Sequence, residues 1–404
     1  MKNNNAIVTV ATNTYFHHAV VLGNSIKQFE QAADFILFIV GYDPHDPRYH
    51  SCDFHILDAQ ILNPEEWERF VFQYDPIAAC CALKSRALSY LLEHYQKVIY
   101  LDNDIKLFSP LNEGWNILEN NDLSLTPHHE MPPNDRYWKF YCYSQLSNDI
   151  FNAGYVGVSR SGKDFLEWWW KKNQHNCLME PMIGIFLDQA YLQYAVIFVQ
   201  KLNILRNIGY NVARWNLNER KLEKRDSHYV VNGLPLIFFH FSTPQYLELH
   251  AQLFEQETDI VLKLYEDYEK ELSLEKEKWT PEPYPYKSFQ DGTLISPDWR
   301  EWVRRDIPEL RTKNNPFELT ASERKEIEII MAKRPENFWP NKDREINDWK
   351  NSFLSTTPTL KKLRAYIDDL EWKIKYKLIP LETSLPHQWL SKAILFVKNF
   401  LKNT

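Results

Sequence analysis

The stretch Val98-Ile99-Tyr100-Leu101-Asp102-Asn103-Asp104 is an apolar run that leads directly into two acids two positions apart. In an extended chain, side chains two positions apart point to the same side, so Asp102 and Asp104 can converge on one cation. Carboxylate oxygens are hard ligands that suit Mg²⁺ or Mn²⁺. An Asp-x-Asp triplet occurs by chance about once in a chain of this length, so its surroundings decide its value. Here it follows a predicted strand, at the end where open α/β sheets bind ligands.

Alternating strand and helix patterns surround this stretch. Apolar runs at 6–11 and 35–40 predict strands with a helical pattern between them, and a helix-like segment at 78–95 precedes residues 98–101. Strands separated by helical segments predict a largely parallel, Rossmann-like α/β sheet. Further strands are expected at 54–57, 123–126, 153–158 and 236–241, and a further helix around 186–199.

The composition changes near residue 250, where a charged, helix-prone segment begins and is followed by a proline-punctuated connector at 280–286. We therefore expect an α/β domain at 1–250 and a mainly helical extension at 251–404. Residues 389–401 carry apolar side chains at helical spacing with lysines off that stripe. Such a helix could lie on a membrane surface, although docking on its own protein is the more common arrangement for a terminal helix of this kind.

Composition excludes several classes of protein. The formal charge of −7 argues against a nucleic-acid binder. The five cysteines are an odd number without a Cys-x-x-Cys pair, which favours reduced thiols over a disulfide framework or a zinc site. The N-terminus lacks the pattern of a signal peptide, and no apolar run approaches the roughly 20 residues of a membrane span, so a cytoplasmic location is expected. No glycine-rich dinucleotide or Walker loop is present in the sequence.

Two further segments carry groups that could bind a nucleotide sugar. Ala11-Thr12-Asn13-Thr14-Tyr15 follows the first predicted strand, where Tyr15 could stack on a base. The same segment suits a helix start that is capped by Thr12, Asn13 or Thr14. In Phe151-Asn152-Ala153-Gly154 the Asn152 amide could bond sugar hydroxyls, although a plain turn explains the segment nearly as well.

Two later segments add an acid, an amide and an imidazole. Leu187-Asp188-Gln189-Ala190 places Asp188 and Gln189 at the start of a helical segment, where an acid is also favoured simply by the helix dipole. Phe238-Phe239-His240-Phe241 delivers His240 at the end of an apolar strand. A lone histidine on such a strand is more often a core residue, but with two carboxylates it would complete a mixed oxygen and nitrogen set that Mn²⁺ accepts.

In order and spacing, these segments resemble family 8 glycosyltransferases and their relatives, retaining enzymes that include glycogenin and bacterial lipopolysaccharide galactosyl- and glucosyltransferases. The likeness covers roughly residues 6–245. It implies a GT-A, Rossmann-like mixed sheet with flanking helices. It also implies metal-dependent transfer of a hexose from a UDP-sugar to a glycan or lipid-linked acceptor, with retention.

The resemblance also assigns roles to residues. Asp102, Asp104 and His240 would hold Mn²⁺ (or Mg²⁺) on the diphosphate of the UDP-sugar. Thr12, Asn13 and Tyr15 would contact the uridine. The transferred sugar would lie among Asn152, Asp188 and Gln189, with Asp188 and Gln189 closest to the reaction. Asn103 and Lys84 would complete the donor site.

The chain departs from the family after His240. The family's histidine is usually followed by a glycine and then a lysine, whereas this chain continues Phe241-Ser242-Thr243-Pro244-Gln245. Lys84 and Arg86, which precede the Asp-x-Asp strand, are candidate replacements for that lysine, or else they lie on an ordinary solvated helix face. The arginine-, aromatic- and amide-rich segment 205–220 could line the acceptor site or form a buried loop; its members are Arg206, Asn211, Arg214, Trp215, Asn216 and Arg220.

Two other functions compete with glycosyl transfer. A sugar nucleotidyltransferase also joins such a sheet to a metal and a nucleotide, but it normally needs a glycine-rich, basic N-terminal loop, which this sequence lacks. A catalytically silent module could bind a nucleotide sugar or a glycan, or scaffold an assembly complex. The missing glycine and lysine favour the silent module, while the intact Asp102, Asp104 and His240 count against it.

Overall fold

The computed structural model describes residues 3–63, 65–132, 149–180, 184–226, 228–242, 258–278 and 283–333. The chain divides into two compact units, residues 1–304 with 308–324 and residues 305–307 with 325–404. In the second unit the described residues are 305–307 and 325–333, and the latter are helical through Ala332. The predicted helix at 389–401 lies outside the described residues, and the predicted division at residue 250 stays a prediction.

The regular elements agree with most of the expected positions. The strands are β1 (Asn5–Thr12), β2 (Ala33–Val40), β3 (His55–Asp58), β4 (Lys97–Leu101), β5 (Ile105–Leu107), β6 (Leu123–Pro127), β7 (Phe151–Ser159), β8 (Met179–Glu180), β9 (Ile185–Phe186), β10 (Leu202–Ile204), β11 (Val212–Ala213), β12 (Leu222–Arg225), β13 (His228–Val231), β14 (Leu234–Pro235) and β15 (Phe238–His240). The α-helices are α1 (Phe16–Phe29), α2 (Trp67–Phe72), α3 (Pro76–Leu92), α4 (Asn112–Ile117), α5 (Lys163–Asn176), α6 (Ala195–Phe198), α7 (Thr258–Glu277), α8 (Pro297–Arg304), α9 (Pro308–Arg311) and α10 (Ala321–Ala332). Among these described helices, none combines the length and the apolar character that a membrane crossing requires.

A seven-stranded mixed sheet in the order β10-β6-β7-β4-β1-β2-β3 forms the centre of the first unit. The strands β4, β1, β2 and β3 are parallel, as are β10 and β6, whereas β7 runs antiparallel to both β4 and β6. The mixed α/β fold class is thus confirmed. Six of the seven strands run in the same direction, so the expectation of a largely parallel sheet is confirmed. Strand β7 is the exception, because the direction of a strand depends on its connections and not on its own apolar pattern.

Helices pack on this sheet where the sequence has strong local signals. Asp75 caps α3 by accepting hydrogen bonds from the N–H groups of Ile77 and Ala78, both 2.9 Å long, and Pro76 takes the first helical position. Helix α3 then packs on β1 and β4. The helix expected around 186–199 is instead a 3₁₀ helix at Leu187–Tyr194 followed by the short α6.

A small second sheet, in the order β11-β15-β5, positions the site. Strand β15 is antiparallel to β5, and His240 pairs with Ile105. Since Ile105 directly follows Asp104, this register brings the end of β15 beside the Asp-x-Asp turn.

Candidate functional site

Asp102 and Asp104 lie in the tight turn between β4 and β5. The Asp102 N–H donates to the carbonyl of Gly154 on β7 (3.0 Å), and the Ile105 N–H donates to the carbonyl of Asp102 (3.1 Å). The two side chains are 25% and 29% exposed. Both carboxylates therefore stand at the carboxyl end of β4 with access to solvent.

His240 completes a three-residue cluster with these carboxylates. The Phe241 N–H donates to the carbonyl of Asp104 (2.8 Å), which fixes the chain at this point. His240 Nε2 lies 3.1 Å from Asp104 Oδ1 and 3.9 Å from Asp102 Oδ2, and one ligand atom from each residue falls within 4.8 Å of the others. Ligands about 2.1 Å from an octahedral ion are about 3 to 4.2 Å apart. The distances of His240 Nε2 from the two carboxylates, 3.1 and 3.9 Å, lie within this range and suit ligands of one divalent cation.

The acidic and basic groups of this cluster stabilise one another's charged forms. Burial lowers the pKa of His240, but the carboxylates of Asp104 and Asp102 outweigh it, so the pKa lies above the ordinary value. Burial raises the pKa of Asp104, and the neighbouring imidazolium more than offsets this and places the pKa below the ordinary value. A cation bound to this cluster would compete with a proton for His240.

Lys84 is a buried cation shared by two acids. Its Nζ lies 2.9 Å from Asp102 Oδ1 and 3.4 Å from Asp188 Oδ2, and it donates to the carbonyl of Ala153 at 3.2 Å. Burial lowers the pKa of Lys84, but the two carboxylates raise it well above the ordinary value. Lys84 is therefore not on a solvated helix face. Arg86 differs, since its side chain is partly exposed and donates to the carbonyl of Leu62 (3.0 Å).

Asp188 and Gln189 follow a change of backbone direction at Leu187, whose φ is +53°. Both side chains are buried. Burial raises the pKa of Asp188 to about 6, and Lys84 opposes this rise. Gln189 Oε1 lies 3.4 Å from the N–H of Ala153 and 3.5 Å from Asn152 Nδ2. The pair thus lies beside the Asn152 segment, with Lys84 joining Asp188 to Asp102.

Asn152 is the centre of a buried polar network. Its Oδ1 accepts from the N–H of Gly154 (2.9 Å), and its Nδ2 lies 3.2 Å from His128 Nε2. A β-carbon added at Gly154 would come within 2.6 Å of the His240 ring. The predicted Asn-Ala-Gly segment therefore belongs to a strand that packs directly on the cluster, rather than to a plain turn.

The segment after β1 lies beside the same edge of the sheet. Thr12 and Asn13 are buried, whereas Tyr15 is 45% exposed and stacks on His18 with 5.3 Å between ring centroids. Neither the 3₁₀ turn at Asn13–Tyr15 nor α1 has a side-chain cap, so the capping alternative is not observed. Asn103 Nδ2 donates to the carbonyl of Val10 (3.3 Å), which ties the Asp-x-Asp turn to β1.

Much of the segment 205–220 is buried. Asn211 and Asn216 are fully buried, and Arg220 is buried in a 2.9 Å ion pair with Glu130. These three residues match the buried-loop alternative. Arg206 is exposed, and Arg214 donates to the carbonyl of Ser242 at 3.1 Å.

Sequence reasoning missed His128 and the relation of Asn211 to His240. Burial lowers the pKa of His128 to about 4, so the ring is neutral and can accept from Asn152. His128 follows the carboxyl end of β6, and the rule that selected Asp102 could have found it. Asn211 Oδ1 lies 3.1 Å from His240 Nδ1, a contact for which the sequence holds no local signal.

No protein-family profile matches the chain. Two proteins of Bacillus subtilis (strain 168) are similar in sequence. Uncharacterized protein YfnF is 24% identical over 252 residues, which span 59% of this chain and 80% of YfnF. Uncharacterized protein YfnD is 23% identical over 253 residues, which span 58% of this chain and 76% of YfnD.

Solved structures with partial similarity are sugar transferases by their descriptions. An active-site mutant of LgtC has a TM-score of 0.40 at 16% identity, and the alignment covers 61% of this chain and 94% of the LgtC chain. The galactosyltransferase LgtC in complex with donor and acceptor sugar analogues has a TM-score of 0.38 at 16% identity, over 62% of this chain and 95% of its own. Mouse xyloside xylosyltransferase 1 in its apo form has a TM-score of 0.38 at 12% identity, over 59% of this chain and 98% of its own.

Proposed function

We propose that this protein is a metal-dependent glycosyltransferase of the GT-A type that moves a hexose from a UDP-sugar to a glycan or lipid-linked acceptor, with retention. The observation that carries the proposal is the convergence of Asp102, Asp104 and His240 at a strand end, directly beside buried Asp188 and Gln189. Three segments far apart in the chain supply these groups. The proposal includes a cytoplasmic location and peripheral membrane contact through the predicted helix at 389–401.

The chemistry of the donor set supports a divalent ion. Two carboxylates and one imidazole form a mixed oxygen and nitrogen set, which favours Mn²⁺ over Mg²⁺. When bound, the ion would supply Lewis-acid stabilisation of the departing nucleoside diphosphate. Asp102, Asp104 and His240 would hold it, and the partial exposure of both carboxylates leaves the diphosphate a side from which to approach.

Lys84 acts on this site through other residues. Because its ammonium lies between Asp102 and Asp188, it restrains a metal ligand and a sugar-facing acid at once. Gln189 and Asn152 would present amides to the sugar hydroxyls. For a retained configuration, attack of the acceptor hydroxyl from the leaving-group face is the favoured route, since the carboxylate of Asp188 is buried and already paired with Lys84.

A thermal-shift panel of nucleotide sugars with and without Mn²⁺ tests the proposal. We expect one UDP-hexose to raise the melting temperature only when Mn²⁺ is present, because a ligand that binds the folded state alone stabilises it. The control variant Asp122→Asn should respond like the unmodified protein. Asp122 precedes β6 and so lies at the opposite end of the strands from the metal cluster. Equal responses with and without metal would contradict the metal site.

Slow hydrolysis of the same UDP-hexose in Mn²⁺ separates transfer from binding. We expect release of UDP that depends on the metal and is lost in Asp104→Asn. Metal-dependent binding without any turnover, also in the presence of glycan acceptors, would favour the silent binding module instead.

A further inference from the structure

We propose that Asn211 is a positioning residue that orients the imidazole of His240, with Nδ1 protonated and Nε2 facing Asp102 and Asp104. The inference rests on the proposed metal function for its consequence, but its basis is the direction of four hydrogen bonds within the chain. Asn211 directly precedes β11, and His240 is the last residue of β15, in the small sheet. Asn152 and Gly154 belong to β7.

The chain of hydrogen bonds starts at a group whose role is unambiguous. A backbone N–H can only donate, so the Gly154 N–H that lies 2.9 Å from Asn152 must point at its carbonyl oxygen Oδ1. The amide nitrogen of Asn152 then faces the other way, 3.2 Å from His128 Nε2 and 3.5 Å from Gln189 Oε1. Both atoms can accept, because the His128 ring is neutral. The orientation of Asn152 is therefore determined.

The orientation of Asn211 follows from that of Asn152. Asn152 Oδ1 lies 3.0 Å from Asn211, and an oxygen can accept only from the amide nitrogen Nδ2. The same Nδ2 donates its second hydrogen to Thr126 Oγ1 at 3.0 Å. Asn211 Oδ1 is consequently the atom that faces His240 Nδ1, at 3.1 Å.

This arrangement selects one nitrogen of His240 as a ligand. Since Asn211 Oδ1 only accepts, Nδ1 of His240 must carry a hydrogen, and a neutral ring then has its lone pair on Nε2. Nε2 is the atom 3.1 Å from Asp104 Oδ1. Metal-bound histidines commonly donate their other ring N–H to an oxygen acceptor, which fixes the ring and its tautomer. Asn211 would serve as that acceptor here.

The surroundings keep Asn211 from moving. Its side chain is fully buried, and its carbonyl accepts from Asn216 Nδ2 at 3.0 Å. Its φ of +51° lies in the left-handed region, which asparagine and glycine tolerate better than other residues. Glycine at this position would therefore keep the backbone while removing the acceptor.

Mn²⁺ affinity measured by electron paramagnetic resonance tests the inference. We expect Asn211→Gly to lose about 10- to 100-fold in affinity. Asn211→Asp keeps an acceptor oxygen towards Nδ1 but places its second oxygen against Asn152 Oδ1, so we expect an affinity between that of Asn211→Gly and that of the unmodified protein. Tyr74→Phe is the control, because it removes a buried hydroxyl that donates to the Asn173 carbonyl (2.7 Å) without touching the cluster. Unchanged Mn²⁺ affinity in Asn211→Gly would overturn the inference.

Nitrogen-15 NMR of histidine-labelled protein gives a readout that needs no metal and no variant at Asn211. At alkaline pH, with the signal assigned by its loss in His240→Gln, we expect His240 in the Nδ1–H form. An Nε2–H form would refute the role of Asn211 even if Mn²⁺ binds. Conversely, failure of the unmodified protein to bind Mn²⁺ would refute the proposed function. The NMR measurement would still test the hydrogen-bond assignment independently.

Discussion

Two sites in this molecule combine acidic and basic side chains in opposite ways. Asp46 is buried and fully occupied by Arg48, whose Nε lies 2.9 and 2.7 Å from the two carboxylate oxygens. Burial raises the pKa of Asp46, but hydrogen bonds from Arg48 outweigh this and hold the pKa below its ordinary value. Asp102 and Asp104 are partly exposed. Asp102 shares Lys84 with buried Asp188, and both Asp102 and Asp104 face His240.

The difference lies in the charge balance. One arginine neutralises one acid at Asp46, whereas Lys84 is divided between two acids and His240 faces two. Two like charges about 4 Å apart repel by about 4 kcal/mol at an effective dielectric constant of about 20. A cluster with excess negative charge that remains open to solvent is suited to receive a cation, whereas a closed pair such as Asp46 and Arg48 stabilises the local fold.

The largest expected effect comes from removing one carboxylate of the open cluster. We expect Asp102→Asn and Asp104→Asn each to abolish metal-dependent transfer and to weaken Mn²⁺ binding by more than about 100-fold, since even partners of metal ligands contribute 10–100-fold. The fold should persist, because in each variant Lys84 keeps Asp188 and His240 keeps one carboxylate as a partner. Circular dichroism and Mn²⁺ titration check both statements, and normal turnover in either variant would refute the metal assignment.

The closed pair should respond in the opposite way. Asp46→Asn removes the carboxylate that lies 2.9 and 2.7 Å from the Nε of buried Arg48, and we expect a loss of about 3–5 kcal/mol in the free energy of unfolding. Mn²⁺ affinity should stay unchanged. Urea unfolding and metal titration on the same preparation measure the two quantities. If Asp46→Asn kept its stability but lost Mn²⁺ binding, the structural role of Asp46 and the metal-binding role of the Asp102 and Asp104 cluster would both be contradicted.

Gly154→Ala should lower both the stability and the Mn²⁺ affinity, each by less than the preceding variants. The added β-carbon would meet His240 Cε1 at 2.6 Å, so the ring must shift away from the cluster. We expect a cost of about 1–3 kcal/mol in stability together with weaker Mn²⁺ binding. Gly233→Ala is a control, because its φ of +85° strains alanine while the nearest atom is 4.0 Å away. The control should lose stability and keep its Mn²⁺ affinity.

The smallest expected effect concerns a buried acid outside the cluster. Burial, followed by the charge of Asp188, raises the pKa of Asp149 from 3.8 to about 7. The folded protein therefore holds a proton that the unfolded chain has released, and the stabilisation present at low pH is lost as the pH rises through about 7. We expect Asp149→Asn to be more stable than the unmodified protein by on the order of 1 kcal/mol at about pH 8, with less gain at about pH 5. An equal gain at both pH values in urea unfolding would contradict the shifted pKa.

Much of the fold was predictable, because apolar runs and helix signals are local. Strands β1, β2, β4 and β6 lie where the sequence placed them. The antiparallel direction of β7 was not predictable from its residues, since it depends on its connections. The segment at Leu187–Tyr194 has helical spacing, but its 3₁₀ form and the left-handed φ of Leu187 are a tertiary result.

Residue order alone establishes that two acids follow an apolar strand and that a histidine ends a later one. Both statements depend only on residue order and on the period of the backbone. Three contacts are visible only in the folded chain: His240 lies 3.1 Å from Asp104, Lys84 is buried between Asp102 and Asp188, and Asn211 faces the His240 ring. These contacts join residues distant in the chain, and the order and register of the strands, which no local pattern encodes, bring them together.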